Sequence, residues 1–299
     1  MNVTKTALLF SGQGSQYAEM GKDFHESEIF SLGSEILGFD LVEKINKGEF
    51  DCTTVVQPAV FAVSAAAFHA AKDAGIKFDA VAGHSLGEYA ALYAAGVFNL
   101  EDAFKLLKIR SEIMSEVKGG GMAAVLGLDS KTVEAVCNEI NDIEPVNYNS
   151  PQQIVIAGSD EALIKAEEVL KTAGAKRVMR LNVAAAFHSE FMRGASIEFL
   201  KAVNGFTFKS PEVPFYSNVT GGLLTDFSNM PGYLARHMRS PVRFTDQLFT
   251  MENDGFNGFS ELGPGKVLSG LVKKTLPNAI SCSIEDLKSL EAAKELLIS

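Results

Sequence analysis

Residues 80–92 read AVAGHSLGEYAAL, a short apolar run, a glycine-bounded serine and then an alanine- and leucine-rich segment. The apolar run predicts a strand, and the segment after Gly87 predicts a helix. A G-x-S-x-G sequence between a strand and a helix is typical of a nucleophile elbow, because small residues at Gly83 and Gly87 permit the tight turn that exposes Ser85. Free N–H groups at the helix start would stabilise an oxyanion there. Ser85 is therefore a candidate nucleophile, and a serine that only caps the helix is the alternative.

Strands and helices also alternate upstream of this stretch. Residues 7–10 form another short apolar run, and a helical pattern covers residues 57–74, with Pro58 near its first turn and Gly75 after its end. Alternating β and α elements predict a mainly parallel sheet covered by helices. We therefore expect an α/β protein with a larger, α/β-hydrolase-like domain.

A different order of elements follows the three glycines at 119–121. The predicted strands and helices alternate there as β-α-β-β-α-β within about seventy residues, which is the split βαβ, ferredoxin-like order. The predicted strands cover 122–128, 145–150, 152–159 and 177–183, and the predicted helices cover 130–140 and 160–173. The sequence thus predicts a ferredoxin-like small domain at 119–186, inserted into a discontinuous large domain formed by 1–118 and 187–299.

The composition is that of a folded globular protein. Of the 299 residues, 46% are hydrophobic and 21% charged, which excludes an intrinsically disordered chain. The net charge of −10 gives no global field to attract nucleic acid or an anionic membrane. No run of eighteen apolar residues and no signal-peptide core is present, so we expect a cytoplasmic protein without a membrane span. The cysteines, Cys52, Cys137 and Cys282, form no C-x-x-C pair, which argues against a disulfide framework or a zinc site.

A serine hydroxyl needs a base within hydrogen-bonding distance, and the chain has five histidines. His69 lies in an apolar helical pattern and is expected in the core, while His84 is expected to point away from the hydroxyl of its neighbour Ser85. His188, at a strand-to-helix junction, and His237 remain as candidate bases, with helix capping as the alternative role for His188. No acidic residue occupies an obvious third position, so a backbone carbonyl could orient the base.

An arginine interrupts the apolar stripe of a helix predicted over 100–117. Leu106, Leu107 and Met114 recur at helical spacing, and Arg110 completes their stripe. A guanidinium directed inward needs a partner, either a buried acid or the carboxylate of a ligand. Helix geometry alone favours an ion pair between Arg110 and a buried acid, and a ligand carboxylate as the partner remains the alternative.

Two glycine-rich stretches lack the residues that nucleotide binding requires. SGQGSQY (11–17) has Tyr17 where a dinucleotide fingerprint has its third glycine, and GPGK (263–266) lacks both the first glycine and the last Ser or Thr of a P-loop. No metal-binding spacing such as H-E-x-x-H occurs either. We therefore expect no cofactor and no metal.

Six features in one order along the chain carry a resemblance to a known family. They are GQGSQ, GHSLGE, the inward arginine, NYNSPQQIVIAG, AFHS and ELGPGKVLSGL. Together they resemble the malonyl-CoA:acyl-carrier-protein transacylase family, whose relatives include the acyltransferase domains of polyketide synthases. The resemblance covers nearly the whole chain. It implies transfer of a malonyl group from malonyl-CoA to the phosphopantetheine thiol of acyl carrier protein through a malonyl-serine, in fatty acid biosynthesis.

The resemblance also implies roles for the matching residues. Ser85 in GHSLGE matches the nucleophile, and His188 in AFHS matches its base. Gln13 in GQGSQ and Leu86 match the two backbone N–H donors of the oxyanion hole. Arg110 matches the arginine that holds the malonyl carboxylate, so the resemblance favours the ligand over the ion pair.

Three further positions are implied in the same way. Arg243 in SPVRF matches the residue whose backbone carbonyl orients the histidine. Asn149 is expected near the mouth of the site. Phe187 is expected to fill the space of an α-methyl branch, which favours malonyl over methylmalonyl.

Two other functions fit the same serine. A thioesterase or lipase-like hydrolase would use water as the acceptor, although it would have no reason to bury Arg110. A non-catalytic module would bind acyl carrier protein without being acylated.

Because carrier proteins of this pathway are typically acidic, docking by a monomer of this acidic chain requires local basic clusters. The two candidate clusters are Lys176, Arg177, Arg180 and Arg193, and Lys266, Lys273 and Lys274.

Overall fold

The computed structural model describes residues 3–297. Its strands are β1 (Thr6–Phe10), β2 (Ala80–Gly83), β3 (Gly121–Leu126), β4 (Ile143–Ser150), β5 (Gln153–Gly158), β6 (Arg177–Arg180), β7 (Phe215–Ser217), β8 (Gly222–Leu223), β9 (Gly258–Leu262) and β10 (Ile280–Ile284). Its helices are α1 (Glu28–Leu37), α2 (Leu41–Lys47), α3 (Thr53–Asp73), α4 (Gly87–Ala94), α5 (Leu100–Glu116), α6 (Ser130–Asn138), α7 (Asp160–Thr172), α8 (Arg193–Val203), α9 (Met230–His237), α10 (Phe244–Asn253), α11 (Val267–Thr275) and α12 (Leu287–Leu297). Two short 3₁₀ helices lie at Lys22–Phe24 and Glu190–Met192.

A mixed, mostly parallel sheet forms the larger part of the molecule. Its strand order is β10-β9-β1-β2-β7-β8, and within it β8 pairs antiparallel with β7. Strands β1 and β2 are parallel neighbours in register, so their last residues, Phe10 and Gly83, lie side by side. The α/β fold predicted from the alternating elements is confirmed. Because ligands of such sheets bind beyond the carboxyl ends of the strands, the loops after β1 and β2 are placed for function.

A second, antiparallel sheet lies between residues 121 and 180. Its order is β4-β5-β3-β6, with α6 connecting β3 to β4 and α7 connecting β5 to β6. It has its own apolar cluster, which includes Val125, Ile156 and Leu163. The six elements predicted for this segment all occur, with ends that differ by a few residues.

Helix α3 runs through the core of the larger part. It begins one turn earlier than predicted, so Pro58 lies inside the helix, in its second turn, and not at its start. The helix ends before Gly75, whose φ of 79° fits the left-handed conformation that follows many helices. Against the expectation of no membrane span, α3 is long and apolar enough to cross a bilayer, yet 78% of its most apolar window is buried in the protein. This burial is that of a core helix.

Candidate active site

The predicted elbow is present at the end of β2. Ser85 has a φ of 52°, a strained backbone conformation for a residue with a side chain. Glycine is required on both sides of it: a Cβ at Gly83 would lie 2.1 Å from the carbonyl carbon of Gly87, and a Cβ at Gly87 would lie 2.0 Å from the Phe10 carbonyl oxygen. The turn therefore packs directly against β1 and raises Ser85 above the strand ends.

His188 is the histidine that reaches Ser85. Its Nε2 lies 2.7 Å from Ser85 Oγ, while its Nδ1 lies 3.1 Å from the Ser240 carbonyl and 3.2 Å from that of His237. Two carbonyls can only accept, so Nδ1 carries the hydrogen and the Nε2 lone pair faces the hydroxyl. His188 also has a positive φ, 63°. The pair has the geometry of a nucleophile and its general base.

The C-terminal end of α9 holds the ring, and the prediction for Arg243 is wrong. The Arg243 carbonyl accepts the Gln247 amide of α10 at 3.0 Å, so it is used inside that helix. Its guanidinium Nε bonds Asp246 Oδ2 at 2.6 Å. The carbonyl of His237 is instead the last of α9, where the negative end of the helix dipole favours a protonated ring. This arrangement replaces an acidic third member.

Burial keeps His188 neutral. Desolvation, together with the smaller effect of the positive charge of Arg110, lowers its pKa to about 3. At neutral pH the ring is therefore unprotonated and able to accept the hydroxyl proton of Ser85.

The two backbone amides assigned to an oxyanion hole lie at the same strand ends. Leu86 immediately precedes α4, so its amide is at the positive end of that helix. Gln13 lies in the loop after β1, which approaches the elbow closely, because a Cβ at Gly12 would lie 2.5 Å from the His84 carbonyl oxygen. Within residues 3–297 neither amide donates to another protein group. Both are free to donate to a ligand.

Arg110 is buried, with 1% of its surface exposed. Its Nη1 donates to Gln57 Oε1 at 2.5 Å, and its Cζ lies 5.4 Å from the centre of the Tyr89 ring. The guanidinium Nε and Nη2 are buried without a hydrogen-bond partner, and no ion pair joins Arg110 to an acid in the described chain. The internal ion pair that helix geometry favoured is thus not observed. Burial is the main cause that lowers the arginine's pKa.

One cavity of about 110 Å³ joins these groups. Its lining includes Ser85, His188, Arg110, Gln13 and Phe187, and further residues His84, Met114, Met122, Asn147, Leu181 and Val183. A second cavity of about 470 Å³ adjoins the first. The two share the lining residues Gln13, Met114, Val183 and Phe187. Phe187 thus lies against both cavities, as a wall of the acyl site would.

Asn149 does not itself line the cavity but is bonded to His84, which does, so it lies next to the site without facing it. Its Oδ1 accepts from His84 Nε2 at 2.7 Å, which turns His84 away from the Ser85 hydroxyl as expected. Asn147, two residues earlier, lines the cavity, and its Oδ1 is buried without a partner in the described chain. Register shifts in the pairing of β4 with β5 on both sides of this segment hid the facing residue from the sequence pattern.

Other histidines have structural positions. His69 is exposed and bonds the Tyr93 hydroxyl at 2.6 Å, so its predicted place in the core is wrong. His237 is fully buried and contributes its carbonyl rather than its ring to His188. In the described residues no group of three or more His, Cys, Asp or Glu could hold a metal ion, and the three cysteines are free.

Sequence reasoning missed three polar side chains that lie close to the catalytic groups. Gln57, Glu88 and Asn218 are fully buried around the site. Glu88 carried a usable signal, because an acid in the apolar GEYAAL segment is as unusual as the arginine in α5. Asn218 carried no such signal, since it lies in a loop 133 positions from Ser85 in the sequence.

Comparison with known proteins gives consistent relatives. Residues 7–294 match the acyl transferase domain family. A malonyl CoA-acyl carrier protein transacylase of Bacillus subtilis (strain 168) is 36% identical, over 99% of this chain and 98% of the relative. The crystal structure of an acyl-carrier-protein S-malonyltransferase from Burkholderia pseudomallei 1710b has a TM-score of 0.94 at 37% identity, covering 98% of this chain and 100% of the other. A type II PKS acyl-carrier protein in complex with its malonyl-transacylase gives a TM-score of 0.93 at 33% identity, covering 98% and 99%.

Proposed function

The chain belongs to the acyl transferase family, and from that membership we propose that it transfers a malonyl group from malonyl-CoA to the phosphopantetheine thiol of acyl carrier protein. The pathway is fatty acid or polyketide synthesis. The names of the full-length relatives support this donor and acceptor.

The observation that carries the proposal is the state of Arg110. A buried guanidinium with two unpartnered nitrogens lines the same cavity as Ser85 and His188. An unpaired buried charge is destabilising, and an acyl group that ends in a carboxylate would satisfy it. A hydrolase of neutral acyl chains would have no use for this group.

The mechanism follows from the geometry of the dyad. Ser85 Oγ attacks the thioester carbonyl of malonyl-CoA while His188 Nε2 takes its proton. The oxyanion accepts hydrogen bonds from the amides of Gln13 and Leu86, each contributing about 3–4 kcal/mol at the transition state. The C–S bond breaks, coenzyme A leaves with the proton from His188, and a malonyl ester remains on Ser85. The phosphopantetheine thiol then gives its proton to His188 and attacks this ester, the bond between Ser85 Oγ and the acyl carbon breaks, and His188 returns the proton to Ser85 Oγ.

Selectivity comes from the two other walls of the cavity. Arg110 pairs with the carboxylate of a malonyl group, whereas an acetyl group would leave the guanidinium buried and unpaired. Phe187 occupies the space that an α-methyl branch would need, so malonyl is preferred to methylmalonyl. Neither a cofactor nor a metal enters this reaction, because the thioester supplies the activated acyl group.

The finer architecture is part of the proposal. The order β4-β5-β3-β6 with α6 and α7 as connections fits a ferredoxin-like small domain at 119–186. The proposed α/β-hydrolase-like large domain comprises 1–118 and 187–299, of which the structure describes 3–118 and 187–297, and the elbow after β2 supports it. The enzyme acts as a monomer in the cytoplasm, which is the compartment of the pathway whose enzymes it resembles.

A groove between the antiparallel sheet and helix α11 is the proposed docking site for the acidic carrier protein. Lys176 and Lys274, one from each basic cluster, line the same groove of about 490 Å³. Arg180 and Arg193 are less suitable, because they pair with Asp160 and Glu190. Charge reversal at both lysines should raise KM for carrier protein more than for malonyl-CoA. An equal effect on the two substrates would contradict this site.

The intact mass after incubation with malonyl-CoA tests the reaction. We expect one malonyl adduct on Ser85, an adduct strongly reduced in Arg110→Ala and an unchanged adduct in Arg236→Ala, which removes an exposed arginine. No adduct on Ser85, or a full adduct in Arg110→Ala, would contradict the proposal. Coenzyme A released equally fast with and without an acceptor thiol would indicate a hydrolase.

A further inference from the structure

A buried polar cluster that the transfer steps do not use lies beneath the nucleophile. Glu88, in the first turn of α4, is completely buried, as are Asn218 in the loop after β7 and His237 at the end of α9. Tyr233, one turn earlier in α9, is partly buried beside them. A carboxyl group is rarely buried without partners, so the contacts of Glu88 indicate which parts of the site it stabilises.

One set of contacts connects Glu88 to the backbone of Ser85. Glu88 Oε1 accepts the backbone N–H of Asn218. The Asn218 side chain then spans the elbow, because its Oδ1 accepts the Ser85 N–H at 2.7 Å and its Nδ2 donates to the Gly83 carbonyl at 2.7 Å. Displacing Asn218 would therefore release both peptide groups that bracket the turn.

The other set connects Glu88 to His188. His237 Nε2 lies 3.4 Å from Glu88 Oε2, and the His237 carbonyl bonds His188 Nδ1 at 3.2 Å. Tyr233 donates to Glu88 Oε2 at 2.8 Å and stacks on the His237 ring with an interplanar angle of 13°. The end of α9 that orients His188 is thus fixed to the same carboxyl group.

Both catalytic residues need such support from outside. Ser85 and His188 have φ angles of 52° and 63°, in the left-handed region. Strained conformations of this kind persist only where the surrounding structure fixes them. The carboxyl of Glu88 contacts both the residue holding the Ser85 amide and the residue whose carbonyl holds the His188 ring. These two residues also approach each other, with His237 Nε2 3.5 Å from Asn218 Oδ1, so the carboxyl completes a three-way contact.

We propose that Glu88 is a positioning residue, which keeps Ser85 Oγ and His188 Nε2 in reactive contact through Asn218 and His237 without touching substrate. The inference rests on the proposed function in that Ser85 is the nucleophile. A displacement of about 1 Å between reacting groups can lower a rate by about 10²-fold, so a carboxyl that controls their placement acts on turnover. The guanidinium of Arg110 is oriented by its hydrogen bond to Gln57 of α3, and Glu88 acts on it only through charge, so a neutral glutamine at position 88 leaves that orienting bond in place.

A serine-directed fluorophosphonate probe tests the positioning apart from malonyl binding. Ser85 Oγ attacks phosphorus, fluoride leaves, and His188 takes the proton. Glu88→Gln should lower the labelling rate about tenfold or more, and Tyr233→Phe by about threefold or more. KM for malonyl-CoA should stay within about twofold of the native value while kcat falls with the labelling rate.

The matched control is Tyr216→Phe. Tyr216 donates to Asp254 Oδ2 at 2.6 Å, so this variant also loses a tyrosine–carboxyl hydrogen bond, but one outside the cluster. Its labelling rate should stay within about twofold of the native rate. If Glu88→Gln does not fold, the comparison of Tyr233→Phe with Tyr216→Phe decides.

The possible failures are distinguishable. If the native protein is not labelled at Ser85, the proposed function fails and the inference with it. If it is labelled and Glu88→Gln and Tyr233→Phe react at the native rate, the inference is overturned and the function stands. Equal slowing of the two tyrosine variants would also overturn it.

Discussion

The two ends of the catalytic cavity differ in how well their polar groups are satisfied. At the Ser85 end, the hydroxyl bonds His188 Nε2, and His188 Nδ1 has two carbonyl acceptors. At the other end, Arg110 Nε and Nη2 and Asn147 Oδ1 are buried without partners in the described chain. Both ends line one cavity of about 110 Å³.

This difference separates chemistry from selection. A buried polar group without a partner costs about 1–3 kcal/mol, and more for a charge. A protein can tolerate that cost where a ligand removes it. At the Ser85 end the nucleophile and its base already have their partners, and among the described residues there only the backbone amides of Gln13 and Leu86 remain open to a ligand. At the Arg110 end the charged side chain itself lacks partners in the described chain for two of its nitrogens, and in the proposed reaction the acyl carboxylate supplies them. Changes at one end should therefore leave the intrinsic reactivity of the other largely intact.

Removing the nucleophile should give the largest effect. Ser85→Ala is expected to lower kcat for malonyl transfer by about 10⁴-fold and to abolish the acyl adduct, because no other group in the mechanism forms the ester. Transfer is measured with carrier protein and malonyl-CoA. Binding of malonyl-CoA by calorimetry should persist, since Arg110 is untouched. Transfer at more than a few per cent of the native rate would remove Ser85 from the reaction.

Removing the guanidinium should affect selection and spare reactivity. Arg110→Ala is expected to lower kcat/KM for malonyl-CoA by about 10²–10³-fold, since a charge-assisted pair inside a cavity is lost. The preference for malonyl-CoA over acetyl-CoA should fall by a similar factor. The fluorophosphonate labelling rate of Ser85 should stay within about threefold of the native rate. A large loss of labelling would show that the two ends are not separable.

Weakening the support of Arg110 should give a smaller effect of the same kind. Gln57 Oε1 is the acceptor of the arginine's Nη1, so Gln57→Leu leaves a third guanidinium nitrogen without a protein partner. We expect KM for malonyl-CoA to rise by about tenfold with kcat within about threefold, because the arginine loses its fixed orientation and not its charge. Steady-state kinetics measure both. A fall in kcat with unchanged KM would instead assign Gln57 to the chemical step.

Local patterns located Ser85 and the inward position of Arg110. Ser85 follows from a strand, two glycines and a helix, and Arg110 completes an apolar stripe, although only the resemblance favoured a ligand carboxylate over an ion pair. The choice of His188 over His237 also came from the resemblance. The parallel sheet follows from the alternating elements. Each of the local inferences uses residues that are close in sequence, where spacing determines geometry.

Tertiary partners could not be predicted in this way. The carbonyls that orient His188 belong to residues about fifty positions later, and Asn218 reaches Ser85 from 133 positions away. The resemblance gave Arg243, but that carbonyl begins helix α10 and is already bonded. The resemblance also gave Asn149, whereas Asn147 lines the cavity, and the register shifts of β4 against β5 break the alternation of faces that would relate the two positions. In each case the deciding contact depends on packing between elements that sequence spacing does not relate.

The smallest predicted effect concerns the buried support of the Ser85 end, through Glu88. Burial raises the pKa of this carboxyl from its ordinary 4.5 to about 8. Between these values the folded protein binds a proton that the unfolded chain has released, so the stabilising contribution of the neutral carboxyl is complete below 4.5 and is lost as the pH rises through 8. The dependence reaches at most about 1.4 kcal/mol per pH unit. Glutamine does not titrate, so the difference in unfolding free energy between the native protein and Glu88→Gln should shift in favour of the variant from pH 5 to about pH 8. Urea unfolding at several pH values measures this difference. The charged and titratable groups that face the carboxyl are present in both proteins, so their own contributions to the pH dependence cancel to first order; they are Tyr233, His237 and Arg110. A difference independent of pH would mean that Glu88 is ionised in the folded state, and the Ser85 end would then contain a buried charge, as the Arg110 end does.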